Sequence, residues 1–183
     1  MKKIYLAFAL SCFAFTFAQT SQWAGVGAAT RFGGSGLTLF YGQKDLFAPG
    51  TDARFSASYF NADPYSGYGG GFAAELSADA LAYTYDPNPE RGLALVAYGG
   101  LGPRLLVQSN VYYYAYSYDG TFTSYQVNVG GVGGLEARLG QFGVLLELDV
   151  SLPAFGLIGP YFKVFPFEVI PVPKLTLGAN YYF

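Results

Sequence analysis

Beyond residue 20, apolar and polar side chains alternate with a period of two over most of the chain, and no helical periodicity of comparable length competes with it. The last ten residues set the pattern. Leu175, Leu177, Ala179, Tyr181 and Phe183 fall on one phase, and Lys174, Thr176, Gly178, Asn180 and Tyr182 on the other. Successive strand side chains point to opposite sides, so this stretch reads as a strand with one apolar and one polar or small face. The same division recurs upstream. Val144, Leu146, Leu148, Val150 and Leu152 oppose Leu145, Glu147, Asp149 and Ser151. Leu135, Ala137 and Leu139 oppose Glu136 and Arg138, while Leu76, Ala78 and Ala80 oppose Glu75, Ser77 and Asp79. Further upstream, Phe55, Ala57 and Tyr59 oppose Arg54, Ser56 and Ser58.

Eight strands follow: 22–32, 37–44, 52–60, 71–85, a fifth from about Gly92, a sixth to Leu139, 144–152 and 174–183. Breakers separate several of them: Gly33-Gly34-Ser35-Gly36, Ala48-Pro49-Gly50, Asp86-Pro87-Asn88-Pro89 and Gly140-Gln141-Phe142-Gly143. One set of connections is short (45–51, 86–91, 140–143). On the alternate side 61–70 and 153–173 are long, and 33–36 is short. Between strands five and six, a tyrosine-rich run 111–118 leads to Asp119-Gly120, a strong hairpin signal. Those two strands are expected to continue as a ribbon, its tyrosines serving cross-strand packing or an interfacial girdle. Gly99-Gly100-Leu101-Gly102-Pro103 inserts breakers into strand five. It is either a bulge or a true turn, and a turn combined with a strand near 161–167 gives ten strands as the alternative to eight.

Composition decides what such strands build. Charged residues are 12% of the 183, against roughly a quarter in soluble domains, and aromatic residues are 19%. Met1-Lys2-Lys3, an apolar run 4–17 and Ala18-Gln19-Thr20 read as a secretory signal peptide, 1–18, followed by one domain, 19–183. Cys12, the single cysteine, lies within that leader, so disulfides are not expected downstream. Lys2 and Lys3 account for two of ten basic side chains, leaving eight against twelve acidic ones. That is no footprint for nucleic acid. An exported chain poor in charge and without apolar runs of helical-span length must hide its apolar surface otherwise. A closed antiparallel up-and-down transmembrane β-barrel does so, because closure pairs every backbone group. A narrow lumen cannot hold the Leu, Phe and Tyr of the apolar phase, so bulky residues face lipid and small or charged ones face inward.

Inward-facing charges must be paired. An interior ion-pair network is expected from Arg31, Arg54, Glu75, Asp79, Glu136, Arg138, Glu147 and Asp149. A hairpin centred between Gln141 and Phe142 sets Glu136 opposite Glu147, with Arg138 diagonal to Glu147 and Arg54, Arg31 or Arg104 available from across the lumen.

The terminal strand, apolar on one face and closed by aromatics, together with the dyad periodicity and polar interior, resembles small bacterial outer-membrane barrels of the OmpA transmembrane-domain, OmpX and OmpW class. The resemblance implies an outer-membrane location, contact with its lipids, and Tyr181 and Phe183 as the signal read by the barrel-assembly machinery. The short connection at 33–36 departs from the long external loops of that class.

No histidine is present, which removes Ser-His-Asp chemistry and His-based metal sites. Gly130-Gly131-Val132-Gly133-Gly134 lacks the helix and Lys-Ser/Thr of a phosphate loop. No catalytic residue, cofactor or metal is therefore expected. The sequence reads as a non-enzymatic envelope barrel with a structural or loop-displaying role. A narrow conduit for small or apolar solutes is the alternative, and a soluble exported ligand-binding barrel is a third reading.

Overall fold

A computed structural model describes residues 22–31, 34–62, 71–85, 93–112, 121–158, 161–164 and 172–183. Nine strands occur among the described residues: β1 (Gln22–Arg31), β2 (Gly34–Ala48), β3 (Thr51–Ala62), β4 (Phe72–Tyr85), β5 (Leu93–Tyr112), β6 (Thr121–Leu139), β7 (Phe142–Ile158), β8 (Tyr161–Val164) and β9 (Val172–Tyr182). Every pairing is antiparallel. β1 through β7 pair in sequence, β7 pairs β9, and β9 returns to β1. The result is a closed eight-stranded up-and-down barrel, with β8 attached only to the far end of β7. Main-chain hydrogen bonds between Gln22 and Phe183, 2.9 and 3.1 Å long, close the seam between the chain's first and last described residues.

The ten-stranded alternative does not occur. β5 runs unbroken through Gly102 and Pro103, and Pro103 stays opposite Val129 of β6. Its cost falls on the other edge, where the β4 ladder lapses at Ala78 and Asp79 and resumes without a register change. Proline has no N–H to donate, so that seam carries the interruption. A Cβ on Gly102 would collide with the Ala78 carbonyl, so only glycine permits this approach of β5 to β4. The segment at 161–164 is a strand, but it lies above the barrel wall rather than in it.

Turn chemistry sets the hairpin ends, and between Gln43 and Ala48 an irregularity shifts the main β2–β3 ladder away from the register of its turn. Pro49-Gly50 joins β2 to β3 with Ala48 opposite Thr51, and Gly50 has φ +81°, as position three of a type II turn requires. Gly140 has φ +58° while Gln141 does not enter the left-handed region, the pattern of a type II′ hairpin. That two-residue turn sets Leu139 opposite Phe142 and Glu136 opposite Leu145. The expected Glu136–Glu147 opposition is thereby corrected: Glu147 faces Gly134. The slip is two residues, so each side chain keeps its face.

Leu146, Leu148, Leu175 and Leu177 lie exposed on the outer wall, while Glu147, Asp149, Lys174 and Thr176 are buried inside. The inner face is filled by setting large side chains over glycines of the next strand. Trp23 covers Gly42, Tyr98 covers Gly134, and Arg104 covers Gly130, each occupying the place of the missing Cβ. This accounts for part of the glycine content: at these three places a large inward side chain fits only because its cross-strand neighbour has no side chain.

Strand lengths are uneven. β1 has 10 residues, whereas β5, β6 and β7 have 20, 19 and 17. A tilted span of the bilayer needs about 9–11, so the β5–β7 wall rises well above the β1 wall. The expected ribbon of strands five and six is present as far as Tyr112 opposite Thr121. Its Asp119-Gly120 tip, the leader 1–18 with Cys12, the turn 86–91, most of loop 61–70 and residues 165–171 lie outside the described residues.

Candidate functional site

The lumen is the chemically distinctive part of the molecule. Two apolar clusters occupy parts of it. Trp23, Phe40, Leu81, Tyr98, Val132 and Leu145 pack together nearer the end that carries the short turns. Ala29, Phe60, Ala73 and Leu106 pack together nearer the opposite end. Around and between them the polar phases of all eight wall strands converge, because the pleat turns every second residue inward.

There the charges form one continuous alternating chain. Arg31 pairs with Glu75 at 2.7 Å, and Lys174 reaches Glu75 at 2.7 Å and Asp149 at 3.3 Å. Arg104 pairs with Asp149 at 3.1 Å and Asp79 at 2.6 Å, and also donates to the Gly102 carbonyl at 2.8 Å. Arg54 pairs with Asp79 at 3.0 Å and with Glu147, which further accepts the Tyr98 hydroxyl at 2.8 Å. Four cations (Arg31, Lys174, Arg104, Arg54) thus alternate with four carboxylates (Glu75, Asp149, Asp79, Glu147), and their formal charges cancel. Hydroxyl pairs, Thr38 with Ser58 at 2.9 Å and Ser56 with Ser77 at 2.6 Å, fill the space beside the chain.

Glu136 and Arg138 form a separate cluster toward the short-turn end. Their ion pair is 2.7 Å long, and Glu136 also accepts from Asn180 at 3.0 Å and Tyr182 at 2.6 Å. The Arg138 guanidinium lies 4.5 Å from the centre of the Tyr182 ring. The anticipated Arg138–Glu147 contact is absent from this arrangement, since the two-residue register slip carries Arg138 to Gly143 and leaves Glu147 to Arg54.

All eight residues named from the sequence face inward, yet they do not make one network. Six of them share the long chain, and Glu136 and Arg138 stand apart. Lys174 is missing from the expected set, and Arg104 enters it only as a contributor. A signal for both exists in the sequence. The eight comprise three cations (Arg31, Arg54, Arg138) and five carboxylates (Glu75, Asp79, Glu136, Glu147, Asp149), an imbalance that a low-dielectric interior does not tolerate. Arg104 and Lys174 supply the two missing charges.

Paired carboxylates can perform acid–base chemistry when one holds a proton against its neighbour. Here each carboxylate meets a cation, and Glu136 and Glu147 belong to different clusters. The geometry is that of charge neutralisation across a lumen. Tyr181 and Phe183 lie outside, on the exposed face. The Tyr181 ring stacks 6.2 Å from Phe183 and tilts 5.2 Å from Phe142, binding the terminal strand to the start of β7.

No protein-family model and no curated protein matches the chain. Solved structures do. Neisserial surface protein A aligns with a TM-score of 0.60 at 11% identity, over 90% of this chain and 97% of that one. A major outer membrane protein from Thermus thermophilus aligns with a TM-score of 0.56 at 19% identity, over 90% and 99%. The attachment invasion locus protein Ail of Yersinia pestis gives 0.50 at 15% identity, over 90% and 99%. The fold is therefore that of the small outer-membrane eight-strand barrels; identities this low speak to fold alone.

Proposed function

We propose that this chain is an integral outer-membrane protein, delivered by cleavage of leader 1–18, whose barrel spans the lipid and has no enzymatic activity. Its role is structural or loop-displaying. The observation that carries the proposal is the sorting of side chains: an apolar outer wall around a closed ladder, and a lumen crossed by a neutral, alternating chain of ion pairs. Turned the other way, each interior arginine would cost roughly 2–4 kcal/mol at the lipid midplane. A soluble ligand-binding barrel needs the opposite sorting. Ion pairs that cross the lumen, with Trp23, Phe40 and Tyr98 packed inside it, favour a plugged lumen over a conduit. Tyr181 and Phe183, at the end of the strand that closes the barrel, are proposed to be read by the assembly machinery, with outer-membrane lipids as the other partner and nucleic acid as none.

Membrane fractionation combined with gel mobility before and after boiling tests the location. The expected result is a protein in the outer-membrane fraction that migrates differently unboiled. Recovery in the soluble fraction overturns the reading in favour of the exported ligand-binding barrel. Planar-bilayer recording tests the seal: no reproducible openings are expected, and defined openings replace the structural role with the conduit.

A further inference from the structure

The apolar outer face does not stop where the barrel wall does. At the end of β7, a bulge at Pro153 and Ala154 shifts its register with β6 by one residue. Below the bulge the exposed residues of β7 are even-numbered, ending at Leu152; above it they are Phe155 and Leu157. One inserted residue thus moves two large apolar side chains onto the outside that unbroken alternation would have sent to the interior. They are joined there by neighbours on both sides. Tyr125 of β6 lies opposite Leu157, and Val164 and Phe162 of β8 lie opposite Phe155 and Leu157. Phe155 and Phe162 are in ring contact at 6.4 Å. The face so formed is strongly exposed, Phe162 to 64% and Val164 to 71%, and Val129 and Leu152 connect it to the barrel wall below.

The ribbon also rises. Strand residues advance about 3.3 Å each along a strand tilted by about 45°, so Leu157 stands roughly 10 Å above Leu152. On the other side of the barrel β1 ends at Arg31 and β2 begins at Gly34, so that wall has no counterpart. The apolar girdle is higher on one side than on the other.

We infer that the β6–β7–β8 ribbon is covered by lipid acyl chains and that the barrel leans toward it, seating this wall deeper in the bilayer than the β1–β3 wall. The inference rests on the lipid-spanning reading above. Its partner is identified by continuity: the ribbon's face is the same uninterrupted apolar surface that the lower wall presents to lipid. A tall girdle on one side and a short one on the other is accommodated by tilt at a small cost per ångström. The consequence is positional, since the lean brings the rim above β5–β8 close to the membrane surface and lifts the rim above β1–β3 away from it.

Single cysteines introduced into the mature chain 19–183, which has none of its own, labelled with bimane and reconstituted into phosphatidylcholine vesicles, separate the possibilities. The sites are Phe162 and Val164 on the ribbon, Leu148 on the lower wall, and Asn61, exposed at the high end of β3. Each variant is first required to show the mobility shift of a folded barrel. Acyl-chain-brominated lipid is expected to quench the labels at 148, 162 and 164, and aqueous iodide the label at 61. Iodide quenching at 162 and 164 with bromolipid quenching retained at 148 overturns the inference and leaves the spanning barrel intact. Iodide quenching at 148 as well removes the spanning barrel. Shielding of 162 and 164 from both quenchers also overturns it, giving the face to protein, such as a second copy pairing along the β8 edge.

Discussion

Arg54→Met is the most informative single perturbation of the interior. Arg54 is buried among Phe40, Asp79 and Glu147, with 1% of its surface exposed. Removing it leaves the two carboxylates in different positions. Asp79 keeps Arg104 at 2.6 Å, whereas among the described residues Glu147 keeps only the Tyr98 hydroxyl. A buried charge that loses its partner costs about 3–5 kcal/mol, while replacing a whole buried pair by apolar groups is often neutral or stabilising. Arg54→Met is therefore expected to destabilise by about 3–5 kcal/mol, and Arg54→Met with Glu147→Leu by much less than the single change. Urea unfolding in vesicles measures both, read from the fluorescence of Trp23, which is the only tryptophan and sits in the interior. A single-variant loss below about 1 kcal/mol, the size of an exposed pair, refutes the reasoning. So does a double variant whose loss equals or exceeds that of Arg54→Met.

Other expectations follow from the same packing. Arg138→Leu should cost less, about 1–3 kcal/mol, because Glu136 retains Asn180 and Tyr182 as donors; thermal unfolding in detergent would show it ranking below Arg54→Met. Gly134→Val should cost about 1–3 kcal/mol by overpacking, since its side chain needs the space of the Tyr98 ring and pushes that hydroxyl away from Glu147. Hydrogen exchange monitored by mass spectrometry should find faster exchange at the β4–β5 seam around Ala78 and Gly102 than at the intact β5–β6 ladder, and equal protection of both would contradict the lapse opposite Pro103.

The strands and their faces are legible in the sequence because period-two alternation survives errors of register. In β7 the pattern marks Leu146 and Leu148 as outward and Glu147 and Asp149 as inward, and a two-residue mistake at the Gly140 turn leaves that division untouched. What local pattern does not carry is which charges meet across a lumen. Arg54 finds Glu147 93 residues away, and Lys174 finds Glu75 99 away, by closure of the barrel rather than by any spacing along the chain. The upper half of β7 is hidden for a different reason. The bulge at Pro153 breaks the alternation, so Phe155 and Leu157 read as part of an irregular, proline-marked loop although they lie along one strand with Leu152.

The sorting of side chains between lipid and lumen can be measured position by position along β7. Nitroxides placed singly at Gly143, Val144, Leu145, Leu146, Leu148, Val150 and Ser151 in vesicles report collision with oxygen, which concentrates in acyl chains. High oxygen accessibility is expected at 144, 146, 148 and 150, and low accessibility at 143, 145 and 151. A flat profile, or one of opposite phase, contradicts a barrel that faces lipid with its leucines and closes its centre with ion pairs.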